Sequence, residues 1–310
     1  MNITAVEPIG ITDKQNLEFT KMFAELGHTF RLFDDRKEDE NTLISRMKDA
    51  DIAIISNIPL SAAVLSQCPN LKLLSVAFTG LDHIDLAYCN ERKIDVINAS
   101  GYSTTAVAEL AVGLMIDACR KISEMDAQTR IGGTRGSFLG RQLRGKTIGI
   151  AGTGAIGLET ARILSFMGCK IIAYSRSVKQ EALQMGIRYV GIDDLMRQSD
   201  VISLHLPLTP DTNQIISRQK LALCKPTSII INTARGKIID NVALAEALRD
   251  NKIAGAAIDV FESEPPLTNH PLLAAPHCIL TPHIAFATEE SFSARIDIVI
   301  SNIKRWLQAL

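Results

Sequence analysis

Three charged side chains follow three apolar segments in the second half of the chain. Arg235 stands in "INTARGKIID", Glu264 in "AIDVFESEPPL" and His283 in "ILTPHIAFAT". If these segments are parallel strands of a doubly wound sheet, their carboxyl ends share the edge that forms the ligand crevice. A guanidinium binds anions and an imidazole transfers protons, so the three positions predict a catalytic site at that edge. Taken singly, each residue could be structural, and Glu262 is a rival carboxylate.

A glycine-rich turn marks a second site upstream. Gly152, Gly154 and Gly157 follow the strand "KTIGIA" and open a helix, and a further strand, "KIIAYS", completes residues 146–175. The first glycine permits the tight turn, the second lets the backbone approach a pyrophosphate, and the third lets helix and strand pack closely. The helix N-terminus adds N–H groups for the phosphates. The glycines could merely close a turn, but their context favours a dinucleotide site.

The second strand of this segment ends in Ser175-Arg176-Ser177 rather than in an acid. An acid there would accept hydrogen bonds from the adenosine ribose and repel a 2′-phosphate. Ser175 removes the repulsion, while Arg176 and Ser177 offer donors to that phosphate. The segment therefore predicts a preference for NADP(H) over NAD(H). The alternative is an Arg176 that stacks on the adenine or points into water.

Composition argues against several other classes of protein. The chain has 310 residues, enough for two domains, and a formal net charge of −1 without a basic stripe, which argues against a nucleic-acid partner. No apolar stretch reaches the roughly 18 residues of a membrane span, and "MNITAVEPIG" lacks the features of a signal peptide. Six scattered cysteines are typical of reduced thiols, so we expect a cytoplasmic protein. His270 and His277 lack a partner at metal-ligand spacing, so we expect both to be structural and no metal site.

Short apolar runs alternate with helical patterns, which predicts α/β domains with parallel sheets covered on both faces. One predicted helix has Thr12 or Asp13 as its N-cap and Gly27 as its C-terminal stop. The predicted strands are "TFRLFD", "DIAIIS", "LKLLSVAF", "KIDVIN", "KTIGIAG", "KIIAYS", "DVISLHL", "SIIINTA", "AGAAIDVF" and "HCILTPH".

Apolar spacing also predicts two longer helices. One runs from about Ser103 to about Met125 and is apolar on more than one face, as a helix between domains or in a dimer interface would be. The Gly- and Arg-rich segment 131–146 after it is predicted to be a surface connection. The other helix, from about Thr288 to Leu310, carries apolar residues along one side and is expected to pack on the N-terminal domain.

The chain resembles the D-isomer-specific 2-hydroxyacid dehydrogenases over almost its whole length. The resemblance implies two Rossmann-like doubly wound domains. An NAD(P)-binding domain over 100–284 would be inserted into a smaller flavodoxin-like substrate domain, formed by residues 1–99 and completed by the C-terminal helix 285–310. The motifs that carry the resemblance are "VAFTGLDHIDL", "GYSTTAVAEL", "GIAGTGAIG", "HLPLTPDT", "NTARGKIID", "DVFESEP" and "TPHIA".

The resemblance assigns catalytic roles to three residues. Arg235 would bind the carboxylate and ketone of a 2-oxo acid through charge-assisted hydrogen bonds. His283 would protonate the ketone oxygen as general acid, and Glu264 would orient its imidazole and stabilise the charged form. In oxidation of the alcohol the same histidine would act as the base.

The resemblance also assigns binding residues. Backbone N–H groups of Phe78, Thr79 and Gly80 would hold the substrate carboxylate, with Arg235 and His283 completing the substrate site. Phe78 replaces the small residue that many relatives carry, and either narrows the pocket or packs beneath the loop. The expected cofactor contacts are Thr104, Gly152, Thr153, Gly154, Ala155, Ile156, Gly157, Ser175, Arg176, Ser177, His205, Leu206, Pro207, Thr212, Thr233, Ala234 and Asp259.

The predicted function is NAD(P)H-dependent reduction of a small 2-oxo acid, of the glyoxylate, hydroxypyruvate or pyruvate type, to the D-2-hydroxy acid. NADP(H) is the preferred cofactor, with NAD(H) possible, and a homodimer without nucleic-acid or membrane partners is expected. The alternatives are an NAD(P)-sensing co-regulator without turnover and a D-3-phosphoglycerate- or D-lactate-type dehydrogenase. Formate dehydrogenases share this scaffold but resemble a form of it that has an amide side chain at the position of Glu264, which argues against a formate dehydrogenase. A methyltransferase could share the glycine turn but would not need the charged trio.

Overall fold

The computed structural model describes residues 1–309, and the chain divides into two compact units. Unit 1 comprises Met1–Ser103 together with residues 287 onward, and unit 2 comprises Thr104–Phe286. Unit 2 is thus inserted in the sequence of unit 1. Its boundaries lie between residues 103 and 104 and between residues 286 and 287. The sequence predicted them between residues 99 and 100 and between residues 284 and 285. Leu310, the last residue of the predicted C-terminal helix, lies outside the described residues.

Unit 1 contains a parallel sheet in the order β2-β1-β3-β4-β5, the flavodoxin-like order that was predicted. The first strand was not predicted, because Asn2 and Thr4 interrupt its short apolar pattern. The strands are β1 (Asn2–Ala5), β2 (Thr29–Leu32), β3 (Ile52–Ile55), β4 (Leu73–Val76) and β5 (Asp95–Asn98), and the helices between them are α1 (Asp13–Glu25), α2 (Glu40–Met47), α3 (Ala62–Ser66) and α4 (Leu86–Glu91).

Unit 2 contains a parallel sheet in the order β12-β11-β10-β9-β6-β7-β8. Three neighbouring strands of this sheet, β9, β10 and β11, are buried at every position because both faces of the sheet are covered. Ile230 packs into the core on one face, and Ile229 and Ile231 pack into the core on the other. The strands are β6 (Thr147–Ala151), β7 (Lys170–Tyr174), β8 (Arg188–Tyr189), β9 (Val201–Leu204), β10 (Ile229–Asn232), β11 (Gly255–Ile258) and β12 (Cys278–Leu280).

The helices of unit 2 cover both faces of this sheet. The two-residue strand β8 was not predicted, since it is too short to show a pattern. The helices are α5 (Thr104–Arg120), α6 (Ile122–Arg130), α7 (Ala155–Phe166), α8 (Gln180–Gln184), α9 (Ile192–Gln198), α10 (Arg218–Leu221) and α11 (Asn241–Arg249), with short 3₁₀ helices at Gly236–Ile238 and Pro271–Ala274.

The long helix predicted from about residue 103 to about residue 125 was wrong in its continuity. Helix α5 ends at Arg120, Lys121 adopts a left-handed conformation with φ of 53°, and α6 begins at Ile122. The break is stabilised by the Asp117 carboxylate, which accepts hydrogen bonds from the Ser123 backbone N–H at 2.9 Å and from the Ser123 hydroxyl. Apolar periodicity continues through such a break, so it cannot reveal it.

The final helix, α12 (Glu289–Gln308), packs in unit 1, as the sequence predicted. Ile296, Val299 and Ile303 are buried. Two side chains of the helix bind the β5 strand: Asn302 Nδ2 donates to the Asn98 carbonyl at 3.1 Å, and the Trp306 indole donates to Asp95 at 2.6 Å.

Two further findings concern the chain as a whole. Within residues 1–309, no helix is both long enough and apolar enough to cross a membrane. All six cysteines are free, and Cys68, Cys89 and Cys119 are buried.

Candidate active site

The carboxyl edge of the unit 2 sheet gathers most of the predicted site residues. Gly152 follows β6, Ser175 follows β7, His205 follows β9, Thr233 follows β10 and Asp259 follows β11. Because the strands are parallel and adjacent, residues far apart in sequence meet along one edge.

The glycine turn between β6 and α7 has the geometry that its sequence predicts. Gly152 has φ of +102°, and a Cβ on it would overlap the His205 carbonyl. A Cβ on Gly157 would overlap the Gly152 carbonyl, so this glycine is needed for helix and strand to pack. A Cβ on Gly154 would meet no atom within 4 Å, so the second glycine faces open space.

The N-terminus of α7 fits the phosphates of a dinucleotide. Gly154 is the N-cap residue and no side chain caps the helix, so its first N–H groups are available to an anion. Gly154 and Ala155 are exposed, whereas Ile156 is half-buried. On the same edge, the Thr233 hydroxyl is buried and has no hydrogen-bond partner within residues 1–309, as expected of a group that meets a ligand.

The segment Ser175-Arg176-Ser177 directly follows β7. Ser175 is half-buried, and Arg176 and Ser177 are exposed. No acidic side chain in the described part of the chain pairs with Arg176. The Tyr189 hydroxyl links Lys179, two residues after this segment, to the glycine turn: it accepts from the Lys179 backbone N–H at 3.1 Å and donates to Thr153 Oγ1 at 2.9 Å.

The segment after β9 is held by internal hydrogen bonds. His205 Nε2 lies 2.9 Å from Ser203 Oγ, and burial lowers the pKa of His205 to about 4. The Thr212 hydroxyl donates to the Pro207 carbonyl at 2.6 Å, and this bond shapes the loop. Thr212 itself was predicted to contact the cofactor. Leu206 is buried beside it.

His283 and Glu264 form a hydrogen-bonded pair. His283 Nδ1 lies 2.6 Å from Glu264 Oε2, and the side chains are 18% and 34% exposed. Burial raises the pKa of Glu264, but the hydrogen bond and charge of His283 outweigh it, so the pKa lies below its usual value. The carboxylate is therefore ionised at neutral pH and fixes the imidazole with Nε2 directed away from it.

The buried carboxylate of Asp259 holds the segment that carries His283. It accepts hydrogen bonds from the Thr281 hydroxyl at 2.6 Å and from the backbone N–H groups of Ile284 and Ala285, each at 2.9 Å. The Asp259 carbonyl accepts from the His283 N–H at 2.8 Å. Burial raises the pKa of the Asp259 carboxyl above its usual value, although these hydrogen-bond donors act to lower it. These bonds stabilise the left-handed backbone of His283, whose φ is 53°. The sequence placed Asp259 among the cofactor contacts and gave no sign of this role.

Arg235 is half-buried just beyond the end of β10. Its Nη1 donates to the Ala234 carbonyl at 2.8 Å, and the Asn232 side chain spans the turn, donating to the Arg235 carbonyl at 2.9 Å and accepting from the Ala234 N–H at 3.0 Å. The positive charge of Arg235 also lowers the pKa of Glu264. Arg235 and the His283–Glu264 pair thus lie at the same edge.

The rival carboxylate Glu262 belongs to a different pair. Its Oε2 lies 2.8 Å from His270 Nε2, whereas Glu264 faces His283. His277 is exposed. Sequence reasoning identified the correct partner of His283 but missed the Glu262–His270 pair, because its members lie eight positions apart across a loop.

In unit 1, the segment Phe78-Thr79-Gly80 follows β4. The Thr79 carbonyl accepts a hydrogen bond from Asn98 Nδ2 at 2.6 Å. Phe78 is buried, and its ring lies edge-on to the His83 ring at 6.4 Å. This packing favours the interpretation in which Phe78 supports the loop. Thr104 is the first residue of α5 and of unit 2.

The comparisons with known proteins agree on one family. The sequence model of the D-isomer-specific 2-hydroxyacid dehydrogenase NAD-binding domain matches residues 112–285. A glyoxylate reductase from Aeropyrum pernix is 40% identical over 260 residues, covering 81% of this chain and 78% of that protein. The solved structure of an acyclic imino acid reductase in complex with NADPH and D-Arg has a TM-score of 0.90 at 30% identity, over 100% of this chain and 98% of its own.

A longer relative matches as well. A D-3-phosphoglycerate dehydrogenase from Methanocaldococcus jannaschii is 39% identical over 302 residues, which are 96% of this chain but only 57% of that protein. A parallel doubly wound unit with a glycine turn, in a two-unit chain, is typical of a dinucleotide-binding enzyme. The chain belongs to the D-isomer-specific 2-hydroxyacid dehydrogenase family, which confirms the predicted family and oxidoreductase class.

The half-buried His205 makes the free energy of unfolding depend on pH. Its folded pKa of about 4 lies below its ordinary value of 6.5, so the unfolded chain binds more protons between these values and stability falls as the pH falls. Between about pH 7.5 and about pH 5, the wild type should lose about 2 kcal/mol more free energy of unfolding than His205→Gln. Urea denaturation at both pH values measures this, with His277→Gln as the exposed control. Equal losses in wild type and His205→Gln would contradict the prediction.

Proposed function

We propose that this protein reduces a small 2-oxo acid, of the glyoxylate, hydroxypyruvate or pyruvate type, to the D-2-hydroxy acid with NADPH. The observation that carries the proposal is the 2.6 Å His283–Glu264 pair on the edge that also bears Arg235 and the glycine turn. A bound reduced dinucleotide supplies the hydride. The residues of the chain bind the substrate, orient it and protonate it.

Arg235 is proposed to bind the substrate. A 2-oxo acid carries a carboxylate and a ketone on adjacent carbons, and the planar guanidinium can donate parallel hydrogen bonds to both. The Asn232 side chain fixes the turn on which Arg235 stands. On the family resemblance, backbone N–H groups of Phe78, Thr79 and Gly80 are proposed to bind the carboxylate as well. Asn98 holds this loop by its Thr79 carbonyl.

His283 is proposed to be the general acid. Its Nδ1 is bound to Glu264, so proton delivery to the ketone oxygen falls to Nε2. As negative charge grows on that oxygen, the imidazolium transfers its proton, and the ionised Glu264 stabilises the charged ring before the transfer. The Asp259 hydrogen bonds keep the His283 segment in place during this step.

A second candidate is reduction of an imino acid. It is favoured by the match over the whole chain to an acyclic imino acid reductase, with a TM-score of 0.90. An imine formed from a 2-oxo acid keeps the carboxylate that Arg235 would bind.

Turnover of a substrate panel tests the proposed function. Glyoxylate, hydroxypyruvate, pyruvate and 3-phosphohydroxypyruvate, with and without methylamine, are assayed with NADPH; we expect the first two to give the highest kcat/KM without amine. His283→Ala should lower kcat by about 10²–10⁴-fold, because it removes the general acid. NADPH binding, followed by fluorescence, should be unchanged, and the exposed His277→Ala serves as control. Amine-dependent turnover would favour the imino acid reductase, and NADPH binding without any turnover would favour the sensor.

Cofactor preference tests the Ser175-Arg176-Ser177 segment. The wild type should have a higher kcat/KM with NADPH than with NADH. Arg176→Ala should lower the NADPH value about 10- to 100-fold, as expected for loss of a charge-assisted hydrogen bond, and leave the NADH value nearly unchanged. Arg197→Ala, at an exposed arginine on α9, is the matched control. Equal or NADH-favouring values in the wild type would refute the phosphate site.

We also propose a homodimer that covers α6 and the segment after it. Ile122, Ile131 and Leu139 are 53%, 78% and 80% exposed there, an arrangement typical of an interface. Light scattering should give twice the chain mass for the wild type, and Leu139→Glu should shift the equilibrium towards monomer. A monomeric wild type at micromolar concentration would contradict the proposal.

A further inference from the structure

A second His–Glu pair lies beside the proposed catalytic pair and has no part in the chemistry described above. His270 Nε2 lies 2.8 Å from Glu262 Oε2, and the Asn241 side-chain amide donates to Glu262 Oε1 at 2.6 Å. Burial raises the pKa of Glu262, but the donors Asn241 and His270 outweigh it and the pKa lies below its usual value. Glu262 is therefore an ionised carboxylate with one donor on each oxygen.

The same loop segment carries Glu264. The Phe261 N–H donates to Glu264 Oε1 at 3.2 Å, while Glu264 Oε2 binds His283. The Phe261 ring also lies edge-on to the His270 ring, with centroids 5.3 Å apart. Phe261 thus connects His270 to Glu264, since its ring contacts His270 and its backbone N–H binds Glu264.

The segment also packs against the residue that follows Arg235. A Cβ on Gly236 would overlap the carbonyl carbon of Phe261, so the two backbones are in close contact. Asn241, the first residue of α11, donates to the Gly236 carbonyl at 3.3 Å as well as to Glu262. One amide therefore connects the Glu264 loop to the Arg235 turn.

We propose that Glu262, His270 and Asn241 form a clamp that positions Glu264 and Arg235, an inference that rests on the proposed function. They are positioning residues, since Glu262 acts through the backbone of the loop. The clamp fixes the distance between Glu264 and His283 and the place of Arg235 relative to both.

Stability alone is a poor explanation for the clamp. The Glu262 side chain is 38% exposed, and a hydrogen bond to a carboxylate this exposed adds little to the free energy of folding because water competes for the carboxylate. Positional accuracy has a larger effect, because a displacement of about 1 Å in a catalytic group can lower the rate about 10²-fold.

Steady-state kinetics of His270→Ala, His270→Gln and the exposed control His277→Ala test the clamp. We expect His270→Ala to lower kcat about 10- to 100-fold with little change in the NADPH dissociation constant. His270→Gln keeps a side-chain N–H for Glu262 and should recover most of the activity, and His277→Ala should behave as wild type. In a Glu264→Gln background, His270→Ala should have a much smaller effect, because the residue through which it acts has already been altered. Full activity in His270→Ala, or an undiminished further loss in the Glu264→Gln background, overturns the proposal.

Crystal structures of the wild type and His270→Ala separate this inference from the proposed function. The distance between Glu264 Oε2 and His283 Nδ1 should lengthen in the variant. An unchanged distance overturns the clamp whatever the turnover. Absence of wild-type turnover on every acid tested contradicts the proposed function, and the lengthened distance would still support the clamp.

Discussion

The hydrogen bond between His283 and Glu264 is the interaction on which the account of this site depends. At 2.6 Å it fixes the plane of the imidazole and the nitrogen that faces away from the carboxylate. A histidine in solution rotates freely and presents either nitrogen, so it cannot direct a proton to one oxygen atom. The fold has to bring a residue that follows β12 to a residue in the loop after β11 and keep both in place.

Three acidic residues of one short segment share this task. Asp259 binds the backbone around His283, Glu262 binds Asn241 and His270, and Glu264 binds His283 itself. Each carboxylate holds a different part of the surrounding structure, and each therefore restrains a different movement of the loop. The parallel sheet beneath the loop provides the fixed base, because its apolar strands are packed on both faces.

Much of this arrangement was predictable from sequence. Continuous apolar runs such as Ile229–Ile231 indicate strands covered on both faces, and Gly152 and Gly157 are required by contacts with backbone carbonyls that any dinucleotide turn of this shape makes. Arg235, Glu264 and His283 were located because charged residues at parallel strand ends share one edge. The choice of Glu264 over Glu262 came from the family resemblance instead, because both carboxylates follow the same strand.

Other features depend on contacts that a sequence pattern does not show. The left-handed Lys121 divides a helix whose apolar spacing continues on both sides, and the Asp117–Ser123 contacts that stabilise it are local and polar. Strand β8 has two residues, too few for any periodicity. His270 was predicted to be structural because it has no partner at metal-ligand spacing. Its hydrogen-bond partner Glu262 lies across a loop whose path the sequence does not specify.

The most direct test of the central claim is the distance from His283 Nε2 to the carbonyl oxygen of a bound 2-oxo acid analogue. A crystal structure with NADP⁺ and oxamate provides it. We expect a hydrogen-bond distance of about 2.7–3.0 Å, with Arg235 bound to the analogue and Glu264 still bound to Nδ1. An analogue whose carbonyl oxygen is bound by another group, with Nε2 out of reach, would contradict the assignment of His283 as the general acid.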